Sequence, residues 1–132
     1  MKANELMVND LVLFRGEIHK VQEIYGIGGN VYLNDYGTIE TIKLLPIPLT
    51  LEILDKNFKN IAEPHQMIYG GRWVIHNEFF EVEITEYTDG LWQVQVDEIE
   101  MSGLPTWMMY VSNVHELQQA LRLANVKKEI KP

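Results

Sequence analysis

FEVEITEYTDGLWQVQVD, residues 80–97, alternates apolar and polar side chains on both sides of an Asp89-Gly90 turn signal. Strict alternation is typical of strands with one buried face, so the stretch predicts a β-hairpin. A two-residue loop would place Glu83 opposite Val96 and mix polar with apolar side chains on each face. A three-residue loop, Thr88-Asp89-Gly90 with Gly90 left-handed, keeps both faces uniform except where Glu86 is paired with Trp92, and it is the predicted connection.

The predicted register puts four polar side chains on one face of the hairpin. They form two opposed pairs, Glu81 with Asp97 and Glu83 with Gln95. Two like charges directly opposite each other cost about 0.2–1 kcal/mol, so a basic protein surface bound at this face would offset the cost. The ordinary interpretation is a solvated sheet surface. The functional hypothesis is that Glu81, Glu83, Gln95 and Asp97 bind a partner.

Negative charge is concentrated in the same part of the chain. Between Arg72 and Arg122 there is no lysine or arginine, whereas nine acidic residues occur there, and the net charge of the whole chain is −8. The nine are Glu78, Glu81, Glu83, Glu86, Asp89, Asp97, Glu98, Glu100 and Glu116. Such a segment repels phosphate and attracts basic proteins, so direct nucleic-acid binding is not expected.

The N-terminal part predicts a small antiparallel sheet. Short apolar runs are separated by turn-forming Gly and Asn residues, which gives strands over Leu11–Phe14, Glu17–Ile24, Val31–Asn34 and Thr38–Leu44. Four short, curled strands can close into an SH3-like barrel. The prolines of Pro46-Ile47-Pro48 then force an extended connector, because neither can donate to a sheet.

Two helices complete an α+β fold. Thr50 is a predicted N-cap for a short helix that presents Leu51, Leu54 and Phe58 on one face. Asn113 and Glu116 form a capping-box pattern before a second helix. Its apolar stripe is predicted to cover the second sheet and comprises Val114, Leu117, Ala120, Leu121 and Ala124. Gln118, Gln119 and Arg122 are predicted to face outward, and the basic tail, 126–132, is predicted to be frayed.

The predicted division is 1–58 for a barrel-like subdomain, 59–72 for a linker and 73–132 for the second sheet with its helix.

The strand Trp107-Met108-Met109-Tyr110-Val111 is apolar on both faces. Such a strand is either central and covered twice or partly exposed at a contact surface. A central, covered strand is the preferred prediction. The alternative makes it an interface, with a homodimer as one option.

Other motifs give no chemical site. The Gly26-Ile27-Gly28-Gly29 run precedes a strand and not a helix, so it predicts a hairpin turn and not a phosphate loop. The four histidines lack metal-ligand spacing, no serine lies in a nucleophile motif, and cysteine is absent. No catalytic residue, metal ligand or cofactor is therefore predicted. No leader pattern or apolar run of roughly 20 residues occurs, so a cytoplasmic protein with no membrane association is expected.

Three stretches resemble a known group of proteins. They are Asn9-Asp10-Leu11-Val12 with its Gly16 turn, the connector and helix start over residues 46–54, and Val114-His115-Glu116-Leu117-Gln118-Gln119-Ala120-Leu121. Together they resemble small uncharacterised proteins encoded in prophages and mobile elements of Bacteroides-type gut bacteria. The resemblance implies a bacterial cytoplasmic setting and a phage-related accessory role. The resemblance does not extend over the acidic hairpin, and it identifies no catalytic or binding residue in this chain.

Three functions fit the acidic segment. The preferred one is a non-enzymatic interaction module that binds a basic protein surface through its acidic sheet face. The second is a mimic of nucleic-acid charge that inhibits a DNA-binding protein, although nine acidic residues are few for a surface spaced like phosphates. The third is a carboxylate enzyme acting on a small substrate, which requires a cleft that converges on Glu81, Glu83 and Asp97.

Overall fold

The structure, a computed structural model, describes residues 1–25, 29–58, 72–76, 80–98 and 105–132. These residues form two four-stranded antiparallel sheets and two α-helices, so the α+β class is confirmed. In chain order the elements are β1 (Leu11–Phe14), β2 (Glu17–Tyr25), β3 (Asn30–Leu33), β4 (Gly37–Glu40), α1 (Leu51–Phe58), β5 (Arg72–His76), β6 (Phe80–Thr88), β7 (Leu91–Glu98), β8 (Pro105–Val111) and α2 (Val114–Leu123). Neither helix in this part of the chain is long and apolar enough to cross a membrane.

The chain divides into two compact units. The first contains Met1–Ile47 and Asn113–His115, and the second contains Pro48–Ser112 and Glu116–Pro132. α1 therefore belongs with the second sheet, whereas its sequence pattern predicted that it closes the first. The predicted bounds 1–58, 59–72 and 73–132 stay a prediction, because nearly all of the linker lies outside the described residues.

The first unit is built on the sheet β1-β2-β3-β4. The turn between β1 and β2 is Arg15-Gly16, and both residues have positive φ (50° and 78°), as a two-residue hairpin turn requires. Alternate side chains of the strands point into an apolar core, as the sequence predicts. The core comprises Leu6, Val12, Phe14, Val21, Val31, Leu33, Ile39 and Leu44.

The predicted SH3-like barrel is not confirmed, because the strands of the first unit form an open sheet in the part of the chain that is described. The fourth strand ends at Glu40 and not at Leu44, since Thr41–Lys43 forms a short 3-10 helix. The chain then returns to the outer edge of β1, where Leu13 and Leu45 exchange two backbone hydrogen bonds of 2.8 and 2.9 Å. One bridge thus occupies an edge that the sheet would otherwise leave open.

The second unit contains the sheet β5-β6-β7-β8. Its central hairpin has the predicted register, with Glu81 opposite Asp97 and Glu83 opposite Gln95. Gly90 is left-handed, as predicted, at φ 76°. The predicted loop length is wrong: only Asp89 and Gly90 separate the strands, and an irregularity between Glu86 and Thr88 absorbs the extra residue.

One face of this sheet is apolar and buried. Cross-strand pairing sets Trp73 opposite Ile84 and Ile84 opposite Val94, and all three are buried. The Trp73 and Trp92 rings pack edge to face at 5.8 Å, and Trp92 Nε1 donates to the Leu49 carbonyl at 3.3 Å. Leu49, just before α1, is therefore bonded to a residue of the apolar face within the second unit.

Helix α1 begins as predicted. Thr50 Oγ1 accepts a hydrogen bond from the Ile53 amide at 3.2 Å, which caps the helix. Leu54 and Phe58 are fully buried, but Leu51, predicted to share their face, is 46% exposed. The third buried residue of α1 is Asn57, an amide that the apolar pattern did not indicate.

Helix α2 buries the stripe that was predicted from its sequence. Val114, Leu117, Ala120, Leu121 and Ala124 are each at most 1% exposed. The Glu116 carboxylate accepts the Ser112 amide at 3.2 Å, so the acid of the predicted capping box reaches one residue further back than expected. That α2 covers the second sheet stays a prediction.

The C-terminal tail corrects two predictions. Gln118 was predicted to face outward and 126–132 to be frayed, but Gln118 and Ile130 are buried. Gln118 Nε2 donates to the Lys128 carbonyl at 2.7 Å, and Gln118 Oε1 accepts the Ile130 amide at 2.8 Å. Asn57 does the same for Lys131, with bonds of 2.9 and 2.8 Å to its carbonyl and amide. The side-chain amides of Gln118 and Asn57 thus form hydrogen bonds to backbone groups of the tail, a role that a neighbouring strand would otherwise have.

Candidate partner-binding face

Strands β6 and β7 bring the four predicted site residues together. Glu81 and Asp97 are directly opposed, Glu83 and Gln95 are the next pair on the same side, and all four are half-buried. We call the side of β6, β7 and β8 that carries them the acidic face. Its residues come from two adjacent strands in strict alternation, which is why the sequence alone could place them.

The acidic face is less open than a fully solvated sheet surface. Val74 of β5 is the cross-strand partner of Glu83 and so lies on this face, yet only 5% of Val74 is exposed. The half-buried state of Glu81, Glu83 and Asp97 agrees with partial cover. The interpretation as a fully solvated sheet surface is therefore corrected at the β5 side of the face.

A neighbouring amide moderates the like-charge pair. Gln95 Nε2 lies 3.4 Å from both carboxylate oxygens of Asp97 and donates to them along the same strand. A donor held against Asp97 spreads part of its charge, so the repulsion with Glu81 is smaller than an isolated pair would give. Gln95 therefore serves to position Asp97 as well as to line the face.

The β8 side of the acidic face carries residues that the site prediction missed. Register places Met108 opposite Gln95 and Tyr110 opposite Gln93, so both lie on this face. Met108 is 47% exposed, Tyr110 is 41% exposed, and Tyr87, whose ring lies 4.9 Å from that of Tyr110, is 59% exposed. We call Tyr87, Met108 and Tyr110 the exposed patch. Aromatic side chains and Met are the types that protein interfaces favour.

The strand that supplies the exposed patch was predicted to be central and covered twice. It is the last strand of the sheet, and among the described residues it pairs only with β7. The double-sided apolar pattern of Trp107–Val111 has a different cause: Val111 is buried on one face, while Met108 and Tyr110 are exposed on the other. The alternative interpretation, a contact surface, fits this position better.

A shallow depression lies at the turn end of the hairpin. It has a volume of about 270 Å³ and is lined by Glu86, Tyr87, Thr88 and Asp89. Two carboxylates and a phenol beside open space suit a cationic side chain. One of its lining residues, Tyr87, also belongs to the exposed patch.

Metal and nucleophile chemistry gain no support from the described residues. Within them, no group of three or more His, Asp or Glu side chains is placed to hold a metal ion. His19 is buried in the first unit beside the packed rings of Phe14 and Tyr36, with its own ring centroid 6.2 Å from each. His65 and the Gly26-Ile27-Gly28 part of the glycine-rich turn lie outside the described residues.

No family model, curated protein or solved structure matches this chain. The resemblance to prophage-encoded proteins therefore stays a prediction. The face must be interpreted from its own chemistry, which combines half-buried carboxylates with exposed Met and Tyr.

Proposed function

We propose that this protein is a non-enzymatic interaction module whose acidic face binds a basic protein surface. One observation carries the proposal: the same side of β6, β7 and β8 presents Glu81 and Asp97 together with exposed Met108 and Tyr110. Charges of one sign give long-range attraction and orientation, whereas the Met and Tyr side chains supply apolar area. A basic partner with an apolar centre satisfies both.

The two other functions have less support. A mimic of nucleic-acid charge needs carboxylates spread over a long surface, and exposed Met108 and Tyr110 add nothing to it. A carboxylate enzyme needs a cleft that isolates its acid and base, whereas Glu81 and Asp97 stand side by side on a sheet. The phage-related accessory role rests on the sequence resemblance alone.

The test compares two double variants with equal loss of charge. Glu81→Gln with Asp97→Asn neutralises the acidic face, while Glu40→Gln with Asp35→Asn neutralises exposed acids of the first unit. Each protein is immobilised, and basic proteins are captured from a bacterial extract at low and moderate salt and quantified. We expect the wild type and the control pair to retain the same proteins and the face pair to lose them.

Two results would contradict the proposal. Equal capture by all three proteins would show that the attraction depends on total charge and not on this face. Captured proteins that are released by added duplex DNA would favour the charge mimic, because the DNA then competes for a shared site on them.

A further inference from the structure

Strand β8 leaves one sheet edge to be explained. The first sheet has its outer β1 edge occupied by Leu45 of the same chain. In the second sheet Pro105–Val111 of β8 pairs with β7 and with no other described residue, although Ser112, directly after the strand, accepts the Leu49 amide at 2.9 Å. A strand edge presents alternating amide and carbonyl groups that bind another extended chain readily.

The composition of β8 does not protect that edge. Natural proteins block edges with charged side chains, with an internal proline, or by keeping the strand very short. The seven residues of β8, PTWMMYV, contain no charge, and the only proline is Pro105 at the start. The strand is long enough and apolar enough to accept a partner strand.

The side chains next to this edge select for a cation. A strand added outside β8 would lie about 5 Å from Met108 and Tyr110 and about 10 Å from Gln95. Long Lys or Arg side chains on the acidic-face side would run across the exposed patch, with their charged ends directed toward Asp97. Tyr110 is also 41% exposed, and an aromatic ring can bind a cation.

We propose that β8 accepts an extended basic segment of a partner protein as a fifth strand, with Lys or Arg at every second position over the acidic face. The inference rests on the proposed function and names the binding mode and the chemistry of the partner. A second copy of this chain is a poorer occupant, because its own β8 is uncharged and two chains of net charge −8 repel each other.

The experiment uses three fluorescein-labelled peptides whose binding is measured by anisotropy. The parent is Arg-Val-Arg-Thr-Arg-Val-Arg; the others carry N-methyl groups on either the odd or the even residues. Amide groups of a strand alternate in direction, so only one of the two methylated sets faces β8. We expect the parent and one methylated peptide to bind similarly, and the other methylated peptide to bind at least tenfold more weakly.

Protein variants locate the binding on β8. Tyr110→Lys places a cation beside the added strand, and we expect it to weaken parent binding at least tenfold. Met108→Lys should act in the same way and serves as the second variant if Tyr110→Lys melts early. Glu81→Gln with Asp97→Asn should weaken binding several-fold at low salt, and Glu40→Gln with Asp35→Asn should leave it unchanged.

The outcomes separate this inference from the proposed function. If both methylated peptides bind like the parent and only the acidic-face pair weakens them, the face binds cations without strand addition; the β8 inference is then wrong and the proposed function stands. If no peptide binds even at low salt and extract capture also fails, both are wrong. A concentration-dependent dimer in sedimentation, dissociated by Tyr110→Lys and unaffected by the peptides, would assign the edge to a second copy and overturn the inference.

Discussion

The two sheets have the same strand order but finish their edges differently. In the first, the chain returns after β4 so that Leu45 bonds to the outer edge of β1. In the second, β8 is the last strand, and the chain's own connector forms a backbone hydrogen bond just after it, where Ser112 accepts the Leu49 amide at 2.9 Å. The two edges thus differ: the middle of β1 is bonded to its own chain, whereas Pro105–Val111 of β8 pairs with β7 alone among the described residues.

The two sheets also differ in the charged side chains that their strands carry. Strand β2 of the first sheet carries Lys20 near Glu17 and Glu23, whereas the second sheet has carboxylates without lysine along β6 and β7. Glu23 also accepts a hydrogen bond from Tyr25 Oη at 2.9 Å, and this bond raises the pKa of the Tyr25 phenol above its ordinary value of 10.0. Glu23 of the first sheet thus has a local hydrogen-bond partner.

The largest expected effect concerns the core of the second unit. Leu117 is fully buried, so Leu117→Ala should lower the free energy of unfolding by about 2–5 kcal/mol. Leu117→Asp should prevent folding of this unit. All three tryptophans belong to the second unit, so urea unfolding followed by tryptophan fluorescence reports on it alone. Leu123→Ala, at a position 71% exposed, is the control and should change stability by less than about 0.5 kcal/mol. Equal unfolding midpoints for Leu117→Ala and wild type would show that α2 is not part of the core.

The next largest effect is expected for Asn57, whose side-chain amide bonds to the C-terminal tail. Asn57→Ala removes both bonds to Lys131 and a 2.7 Å bond to the Ile53 carbonyl, at a buried position. We expect a loss of about 1–3 kcal/mol in the same fluorescence assay, because backbone groups of the tail lose their partners. Lys56→Ala removes an exposed bond to the Pro132 carbonyl and should cost much less. Similar losses for the two variants would mean that the tail is not held by Asn57.

The edge bridge of the first sheet can be broken selectively. Leu45→Pro deletes the amide that donates to Leu13, and Leu44 is already extended (φ −90°, ψ 145°), so a following proline fits. We expect a loss of about 0.5–1.5 kcal/mol and faster hydrogen exchange at the Leu13 amide. Leu45→Ala retains the backbone bonds and should leave this exchange unchanged. If the two variants exchanged alike, the bridge would not protect the β1 edge.

The smallest expected effect is a gain in stability. Glu81→Gln removes one charge of the pair with Asp97 and should stabilise the second unit by about 0.2–1 kcal/mol at low salt. The gain should shrink as salt screens the remaining charges. Glu40→Gln in the first unit is the matched control and should leave the tryptophan transition unchanged. A loss of stability on Glu81→Gln would show that Glu81 is bonded within the fold.

Local patterns predicted the sheets well. Alternation placed Glu81, Glu83, Gln95 and Asp97 on one face and in register, because the two-residue period of a strand leaves one uniform solution. The loop length was wrong, since an irregularity between Glu86 and Thr88 takes up a residue without disturbing the pattern on either side. Such an irregularity has no signature in alternation alone.

Features that depend on distant parts of the chain were missed. A polar side chain such as Gln118 or Asn57 is predicted to be exposed when only its local sequence is considered. Its backbone partner in the tail lies 10 or 74 residues away, outside the local pattern. The exposed patch was missed for a related reason: an apolar strand reads the same at the centre of a sheet and at its edge. Only the order of the strands, with β8 last, distinguishes the two.

The bonds between Asn57 and Lys131 have a consequence for synthesis of the protein. The two residues are 74 positions apart, so at 5–20 residues per second the ribosome adds Lys131 about 4–15 s after Asn57. During that interval α1 leaves the ribosome with a side-chain amide that still lacks its tail partner. The first sheet, whose strands all precede Pro46, is complete in sequence before then. The first sheet can therefore form earlier during translation. The second unit gains the contacts between Asn57 and Lys131 only after Lys131 has been added.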